Sequence, residues 1–591
     1  MNSGSEHVFE RYNSQLGIGD IERHFIEYDN SNGEESVVLW LKIKNKTSIS
    51  HLTSYLAGPF MLYFDVRLQN YHHSQAFDLS DDHKPIFETA LLPQKNGIIK
   101  LVIPPKQKRS WYVDTISEIL FNKTAKVIYE VSLASTKKLL KGKVLKKCTL
   151  SKDSNLHISH QNTSQLWGQP LSILDTPVSS KPIHLVVLTH GIHSNVSTDM
   201  LYLKEQIIQS YVDNPDFDKE QIVVKGYTGN VCETERGVKY LGVKLAKYII
   251  NELYNEQIVK ISFIGHSLGG LIQTFAIAYI SILHPSFFKK VEPMNFITLA
   301  SPLLGLHSHS PTYVKYALGN GMIGKVGLDL NLEKDITNEK IPLLYLLSGD
   351  PTKTILRKFK RRTAYANSMN DGIVPLYTSS LLYIDYNDVL QNIAEFKKKN
   401  HVSKSLPKTS VLSSITSVVL LPRPSEKYIL DPSTRDDPII HDKLYTPEDI
   451  SQIQKTYKDT TLYKYLKSDS KANYNFVKLM ADNWHNYMTW RKVIVAMKPD
   501  AHNNIIVRRR FGNAYGWSIV DHLVTEHFMK KVEPEVTVST KIDSLTVSVE
   551  ATNIQSIDPN NVYSSLTRVE GDYQDGMLTN VSGILQKSFR Y

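Results

Sequence analysis

Cysteine, long apolar runs and the features of a secretory leader are all scarce in this chain. Only Cys148 and Cys232 occur among 591 residues, so a disulfide framework is excluded, and no CxxC or Cys/His cluster indicates a metal site. No run reaches the roughly 18 apolar residues typical of a membrane span. The polar N-terminal segment lacks the apolar stretch of a secretory signal. These absences predict a cytoplasmic protein without a resident cofactor or metal.

Positive charge is in moderate excess, with a net charge of +10. It is spread over several clusters, including 137–147, 357–362 and 397–404. Such clusters can serve nucleic acid or an anionic membrane surface. For any single cluster an ordinary solvated face is the favoured interpretation, and no nucleic-acid partner is expected.

The first part of the chain has the alternating pattern of half-buried strands. Val37, Leu39, Leu41 and Ile43 share one face of a short run, and similar runs follow up to about residue 134. This pattern predicts an N-terminal β-rich, sandwich-like domain that ends, with a polar linker, near residue 165. Nothing in it resembles a catalytic constellation.

From residue 181 the pattern changes to near-continuous apolar runs that alternate with helical segments. A parallel sheet covered by helices on both faces has this pattern, which predicts an α/β fold. The predicted strands are HLVVLTHG (184–191), QIVVKGY (221–227), KISFIGHS (260–267), NFITLASP (295–302), PLLYLLSG (342–349) and WRKVIVAM (490–497). The predicted domains are a core formed by 181–384 and 481–530, an insertion over 385–480, and a partly disordered tail over 531–591.

The pentapeptide Gly265-His266-Ser267-Leu268-Gly269 lies between a predicted strand and a predicted helix. This is the setting of a nucleophile elbow, in which the serine occupies a tight, strained turn flanked by glycines. The Leu268 N–H opens the helix and faces the oxyanion that forms during acyl transfer. We therefore predict that Ser267 is the nucleophile of a serine hydrolase of the α/β-hydrolase type.

The acid of a hydrolase triad follows the nucleophile in this fold. Asp350 comes directly after the predicted strand PLLYLLSG, but its GDPT context favours turn chemistry. Asp371 in NDGIVP is preferred, because the glycine and proline there predict a loop at the carboxyl end of the sheet.

The base is expected in the loop after the last strand, where His502 lies. Three other histidines are near in sequence. His485 is interpreted as a surface residue, His522 as a capping residue and His527 as a packing residue.

The second oxyanion donor is expected after an early strand, in the segment 189–193. Gly191 allows the backbone to pass close to a substrate, and the Ile192 N–H is the predicted donor. His190 and His193 lie in the same segment, but no carboxylate or third histidine accompanies them at metal-ligand spacing.

Five segments together resemble a known family. They are VLTHGIHSN, VVKGYTGNVCETERGVKYLG, FIGHSLGG, NDGIVP and DAHNNIIVRRRFGNAYGW. The set is similar to that of the fungal Rog-type lipases, part of the wider serine esterase group of α/β-hydrolases. The resemblance implies hydrolysis of acylglycerols or phospholipids, with Ser267, Asp371 and His502 at the matching positions. It also implies association with membranes or lipid droplets in some members.

The sequence leaves three hypotheses for the function open. A lipase is favoured, because the interval 385–480 pairs the basic run 397–404 with the apolar run Val411 to Leu421, as a lid or interfacial segment does. The same pattern fits a buried strand beside a solvated charge run. The alternatives are an esterase or thioesterase acting on soluble or protein-linked acyl groups, and a non-catalytic scaffold.

Overall fold

The computed structural model describes residues 6–48, 60–120, 122–141, 145, 149–168, 181–212, 220–306, 323–333, 341–399, 424–456 and 471–530. Within them lie sixteen strands. Their bounds are β1 Val8–Leu16, β2 Ile21–Asp29, β3 Val37–Asn45, β4 Leu62–Leu68, β5 Ile86–Leu91, β6 Asn96–Ile103, β7 Lys108–Ser117, β8 Val127–Ala134, β9 Leu156–Asn162, β10 Ile183–Thr189, β11 Gln221–Gly226, β12 Ile258–His266, β13 Glu292–Leu299, β14 Arg361–Asn367, β15 Ile439–Tyr445 and β16 Trp490–Val495.

The α-helices among the described residues are mostly in the second part of the chain. They are Thr163–Trp167, Val196–Asp199, Leu201–Val212, Val238–Tyr248, Leu268–Leu283, Phe287–Lys290, Gly324–Leu330, Leu343–Ser348, Thr352–Leu356, Leu376–Ser379, Tyr386–Lys399, Glu426–Leu430, Pro447–Thr456, Lys471–His485, Ala501–Asn504 and Trp517–Val524.

The N-terminal strands form two antiparallel sheets, ordered β1-β8-β3-β6 and β5-β4-β7-β2-β9. The predicted alternation is present in β3, where Leu39, Leu41 and Ile43 are buried. They join one apolar cluster with residues of the other sheet, among them Val66 and Val113. The β structure predicted for this region is confirmed as antiparallel sheet, while its sandwich-like arrangement and its domain bounds stay predictions.

A seven-stranded sheet forms the centre of the remaining chain, in the order β11-β10-β12-β13-β14-β16-β15. All neighbouring pairs are parallel except β15 and β16. Successive residues of β10 point to opposite faces, so that Leu185 and Val187 enter one apolar cluster while Val186 and Leu188 enter another. Apolar cores therefore cover both faces, which is the reason for the continuous apolar runs in the sequence.

Five of the six strands predicted for this sheet are confirmed, and one is wrong. The segment PLLYLLSG contains the helix Leu343–Ser348, which begins after Pro342. A short run of leucines has no period that separates a buried strand from a buried helix, and leucine favours a helix.

The strand in the predicted position of PLLYLLSG is β14, which pairs with both β13 and β16. Its sequence RRTAYAN is polar for a central strand. The Arg362 guanidinium is nevertheless buried, because it donates to the carbonyls of Leu356 and Thr489. Tertiary hydrogen bonds thus satisfy the polar groups of β14, whose sequence lacks the apolar pattern of a central strand.

The interval 385–480 was expected to be an insertion outside the core. Within it, however, β15 forms the antiparallel edge of the central sheet. Val477 and Met480 of the helix Lys471–His485 are fully buried in a core cluster. These parts of the interval are therefore core elements. The apolar run Val411 to Leu421, Lys404 and the tail from residue 531 lie outside the described residues.

No helix in the described ranges has both the length and the apolar character needed to cross a bilayer. The most apolar one, Leu268–Leu283, is buried without interruption from Leu268 to Ile280. It lies against the sheet on one side and against the helix Val238–Tyr248 on the other. A helix that is apolar all round belongs in a core of this kind.

The contact between these two helices predicts the effect of one substitution. A Cβ added at Gly242 would lie 2.6 Å from the Phe275 Cβ, and Phe275 is fully buried. Overpacking of a core costs about 1–3 kcal/mol, and the gain in helix propensity offsets about 1 kcal/mol of it. The net cost is therefore about 0–2 kcal/mol. Because the obstructing atom is the Phe275 Cβ, which cannot rotate away, we expect Gly242→Ala to lie in the upper half of this range and to lower the free energy of unfolding by about 1–2 kcal/mol in chemical denaturation. The control is Gly372→Ala, since a Cβ there meets nothing within 4 Å. Equal stability of the two variants would contradict the prediction.

Candidate active site

Ser267 lies at the turn from β12 into the helix Leu268–Leu283, with φ 53° and ψ −128°. A positive φ is rare and strained for a residue with a side chain. The turn is held by a hydrogen bond of 2.9 Å from the Ser267 N–H to the Leu299 carbonyl on β13. Ser267 therefore has the backbone conformation that a nucleophile elbow requires.

The two elbow glycines are required by close backbone approach. A Cβ at Gly265 would lie 2.5 Å from the Gly270 nitrogen. A Cβ at Gly269 would lie 2.1 Å from the Thr189 carbonyl oxygen at the end of β10. The second contact comes from a neighbouring strand and not from within the elbow itself.

The loop after β10 passes directly over the nucleophile. A Cβ at Gly191 would lie 3.0 Å from the Ser267 Oγ, so glycine is needed there as well. Ile192 follows at once. Leu268 is the first residue of its helix, and the N–H of such a residue has no acceptor within the helix. The two predicted oxyanion donors thus belong to segments that lie beside Ser267.

The segment after β11 holds this loop in place. His193, which has φ 48°, donates its backbone N–H to Thr234 Oγ1 at 3.1 Å. Its Nε2 lies 2.8 Å from Glu235 Oε1. Both partners lie within the VCETERG segment, whose role the sequence analysis missed. His190 is buried, its Nδ1 donates to the Gly191 carbonyl at 2.9 Å, and burial lowers its pKa.

Asp371 lies in the loop that follows β14. Its Oδ1 accepts the backbone N–H groups of Ile373 at 3.0 Å and Val374 at 2.8 Å. Its Oδ2 accepts Asn367 Nδ2 at 2.8 Å and His502 Nδ1 at 3.0 Å. Four donors therefore surround one buried carboxylate, as a functional acid of this fold requires.

His502 lies in the short helix Ala501–Asn504 after β16, at the position expected from the sequence. Because its Nδ1–H donates to Asp371, its Nε2 is left as the basic nitrogen. Burial alone would lower the pKa of His502, but the charge of Asp371 and its hydrogen bond raise it above the ordinary value. Burial likewise raises the pKa of Asp371, and the charge and hydrogen bond of His502 lower it further than burial raises it.

His266, which precedes the nucleophile, connects the elbow to the histidine loop. Its Nε2 donates to the His502 carbonyl at 2.8 Å, and the two rings have centroids 4.7 Å apart. Burial lowers the pKa of His266 to about 3, so this ring is neutral. The sequence analysis treated this position only as the variable residue of the pentapeptide.

Asp500 is a second residue that the sequence analysis missed. It has φ 69° and precedes the helix that carries His502. Its carboxylate accepts Asn503 Nδ2 at 2.8 Å and Asn513 Nδ2 at 3.0 Å. Burial raises the pKa of Asp500 to about 7. The signal in the sequence was a short polar residue directly before a helix, which is typical of an N-cap.

The rejected candidates lie elsewhere. Asp350 is exposed and accepts the Thr354 N–H at 3.2 Å, in agreement with turn chemistry. His485 is buried and bonds to the Ala481 carbonyl, so its interpretation as a surface residue was wrong. His522 contacts Asp442 and Tyr365 and does not cap a helix end. His527 packs in the core as expected.

Comparison with known proteins agrees with this geometry. Residues 179–381 match the family model described as "Putative serine esterase (DUF676)". "Putative lipase ROG1" of Saccharomyces cerevisiae is 46% identical over 578 residues, which cover 88% of this chain and 83% of that protein. The chain belongs to this serine esterase family.

Two further relatives of the esterase family extend the similarity along the chain. "Putative lipase YDL109C" of Saccharomyces cerevisiae is 41% identical over 98% of this chain and 97% of its own length. "Putative lipase C4A8.10" of Schizosaccharomyces pombe is 29% identical over 82% of this chain and 74% of its own length. The family resemblance found in the five motifs is confirmed, and the central sheet is an α/β-hydrolase core.

The paired shifts of Asp371 and His502 predict a pH dependence. If His502 is the base, it acts when neutral, and its raised pKa places the rise of kcat/KM above the ordinary value of about 6.5. Asp371→Asn removes the charge that raises this pKa. We therefore expect the inflection of the pH–rate profile to move to lower pH and the plateau to fall roughly 10⁴-fold. Asp350→Asn is the matched control and should leave both unchanged. An unmoved inflection in Asp371→Asn would show that His502 is not the titrating base.

The pKa shifts of His502 and Asp371 also make the stability of the folded state depend on pH, and they do so in opposite directions. The raised pKa of His502 stabilises the folded state below about pH 6.5, the unfolded-state pKa, and this contribution is lost as the pH rises through the folded-state value. The lowered pKa of Asp371 stabilises the folded state above the unfolded-state value of about 3.9, and the contribution is lost as the pH falls through the folded-state value. In Asp371→Asn both contributions should disappear from the pH dependence of unfolding.

Proposed function

We propose that this esterase is a lipase that hydrolyses carboxylic esters of acylglycerols or phospholipids through a covalent acyl-enzyme. Ser267 is the nucleophile, His502 the base and Asp371 the orienting acid. The observation that carries the proposal is the buried Asp371–His502 pair at 3.0 Å, joined through His266 to the strained turn of Ser267. The names of the fungal relatives support a lipid substrate.

The reaction begins with proton transfer. His502 Nε2 takes the proton of the Ser267 hydroxyl as Oγ attacks the ester carbonyl carbon. The carbonyl π electrons move to the oxygen, and the N–H groups of Leu268 and Ile192 stabilise this oxyanion. Asp371 stabilises the imidazolium that forms.

Collapse of the tetrahedral intermediate breaks the bond to the leaving oxygen. The imidazolium of His502 donates its proton to that oxygen, so the alcohol leaves and an acyl–Ser267 ester remains. Water then attacks the acyl carbon while His502 accepts a proton from it. As the bond between the acyl carbon and Ser267 Oγ breaks, His502 returns this proton to Oγ, which releases the free fatty acid and restores the Ser267 hydroxyl.

Removal of the nucleophile tests this proposal. We expect Ser267→Ala to lose ester hydrolysis by several orders of magnitude and to lose labelling by a fluorophosphonate. Ser281→Ala on the same helix is the control, because Ser281 only bonds back to the Ala278 carbonyl. Circular dichroism checks that both variants are folded. Hydrolysis by Ser267→Ala at the wild-type rate would overturn the assignment of Ser267 as nucleophile. A wild-type protein that hydrolyses soluble esters but no lipids would favour the non-lipid esterase.

The proposal includes contact between the enzyme and a lipid surface. Lys397, Lys398 and Lys399 are exposed at the end of the helix Tyr386–Lys399. Lys399 already pairs with Asp436 at 3.0 Å, so the first two lysines are the better candidates for an anionic surface. The apolar partner expected for them, Val411 to Leu421, lies outside the described residues.

Vesicle binding tests this contact. Each lysine near an anionic surface contributes about 1 kcal/mol, so replacing Lys397 and Lys398 by glutamine should weaken sedimentation with anionic vesicles by roughly 30-fold. The control replaces Lys289 and Lys290, an exposed pair on another helix, with the same change in charge. Equal binding by the two double variants would show that net charge alone, and not the position of Lys397 and Lys398, determines binding to the vesicles.

A further inference from the structure

An ion-pair cluster connects the N-terminal sheets to the segment that follows His502. Glu118 comes directly after β7. Its Oε1 accepts Arg509 Nε at 2.5 Å, and its Oε2 accepts Arg509 Nη2 at 3.1 Å. Arg508 Nη2 is 3.7 Å from the same carboxylate. Glu118 is therefore held by a bidentate pair, the geometry with the highest directional specificity among ion pairs.

The same two arginines bind the end of the loop that carries the predicted oxyanion donor. Asp199 Oδ1 accepts Arg509 Nη1 at 2.8 Å and Arg508 Nε at 3.1 Å. Its Oδ2 accepts the Ser194 hydroxyl at 2.6 Å and the Asn195 N–H at 3.3 Å. Ser194 and Asn195 are only two and three residues beyond Ile192. The cluster thus fixes the far end of the loop that passes over Ser267.

Arg509 is also connected to the histidine loop, through its backbone. The backbone N–H of Arg509 donates to Asn513 Oδ1 at 2.9 Å. Asn513 Nδ2 in turn donates to Asp500 Oδ2 at 3.0 Å and to Asn504 Oδ1 at 2.9 Å. Asp500 and Asn504 are the residues at the two ends of the helix turn that holds His502. One arginine therefore reaches both arms of the candidate site.

The four charged side chains of this cluster are buried, so each of them depends on its partners for compensation of its charge. The side chains of Arg508, Arg509, Glu118 and Asp199 are all at least nine-tenths buried, and their formal charges sum to zero. Burial would lower the pKa of Arg509, but Glu118 and Asp199 raise it above its usual value. Buried ion pairs seldom contribute more stability than apolar residues of the same volume. The cluster is therefore better explained by the positions it enforces than by stability.

We propose that Glu118, a residue of the N-terminal β region, is a positioning residue for ester hydrolysis. Through Arg509 it holds the His502 loop, and through Arg509 and Asp199 it holds the Ile192 loop at a set separation from it. The inference rests on the proposed function of these two loops. Displacement of a catalytic group by about 1 Å costs on the order of 100-fold in rate, so a loosened cluster lowers turnover while leaving the substrate pocket intact.

The test compares two buried carboxylates of the same strand end. Glu118→Gln removes the charge at the cluster. Asp114→Asn is the matched control, because Asp114 is as buried as Glu118 and its direct partners, Arg23 at 2.6 Å and Arg67 at 2.9 Å, are residues of the N-terminal sheets. Both variants are assayed with a short soluble ester, at a temperature where circular dichroism shows each to be folded, and their rates of fluorophosphonate labelling are measured.

We expect Glu118→Gln to lower kcat and the labelling rate by roughly 10- to 100-fold, with KM within about twofold of wild type. Asp114→Asn should lose thermal stability and keep wild-type kcat. Glu118→Asp, which retains the charge, should recover part of the activity. Wild-type turnover in Glu118→Gln, or an equal loss of kcat in Asp114→Asn, would overturn the inference.

Two further outcomes are also decisive. Should Glu118→Gln not fold, Glu118→Asp and Asp114→Glu take the places of the two variants. A selective fall of kcat in the first then supports the positioning role, and equal kcat values overturn it. A wild-type protein that neither hydrolyses esters nor reacts with the fluorophosphonate refutes the proposed function itself. Normal wild-type labelling with an unaffected Glu118→Gln refutes only the positioning role.

Discussion

The strained turn at Ser267 is the constraint on which the rest of the candidate site depends. A positive φ at a serine costs of order 1–3 kcal/mol, and surrounding structure must offset that cost. The buried helix Leu268–Leu283 and the bond from Ser267 to Leu299 hold the turn from two sides. The turn also explains the glycines, because backbone from the helix and from β10 approaches within a distance that no Cβ tolerates.

Around this turn the site is assembled from loops that follow different strands. The loop after β10 supplies Gly191 and Ile192, the loop after β14 supplies Asp371, and the segment after β16 supplies His502. All of these loops lie at the carboxyl end of a parallel sheet, where the ends of neighbouring strands converge. Parallel pairing of the strands therefore brings together residues that are more than 100 positions apart in the chain.

Burial determines the electrostatics of this assembly. A lone carboxylate or imidazolium would be expensive to bury, and here each compensates the other at 3.0 Å. The cluster of Glu118, Arg509 and Asp199 applies the same principle one layer further out. It connects the N-terminal sheets to the loops of the candidate site, so the β region and the elements around the central sheet share buried charges as well as apolar surface.

Local pattern in the sequence was sufficient for the strained turn at Ser267 and for placing Asp371 and His502, the proposed acid and base, in loops that the structure brings together. A Gly-x-Ser-x-Gly between an apolar strand and an apolar helix is a local signal, and Asp371 and His502 lie in loops marked by glycine, proline and polar residues. The β structure of the N-terminal region was also predicted from alternation in runs such as Val37 to Ile43. These features depend on residues that are near one another in the chain.

Only the tertiary structure decided the elements whose residues are satisfied by contacts with distant segments. PLLYLLSG became a helix, since a short leucine run has no period that separates a buried helix from a buried strand. RRTAYAN became a central strand, because the buried Arg362 donates to the Thr489 carbonyl, 127 positions away. The pairing of the edge strand β15, the bond from His266 to His502 and the bridge from Glu118 to Arg509 join residues from 45 to 391 positions apart. Sequence pattern indicated the proposed reacting groups. Only the tertiary structure decided how these groups are held, because long-range hydrogen bonds and ion pairs leave no periodicity in the chain.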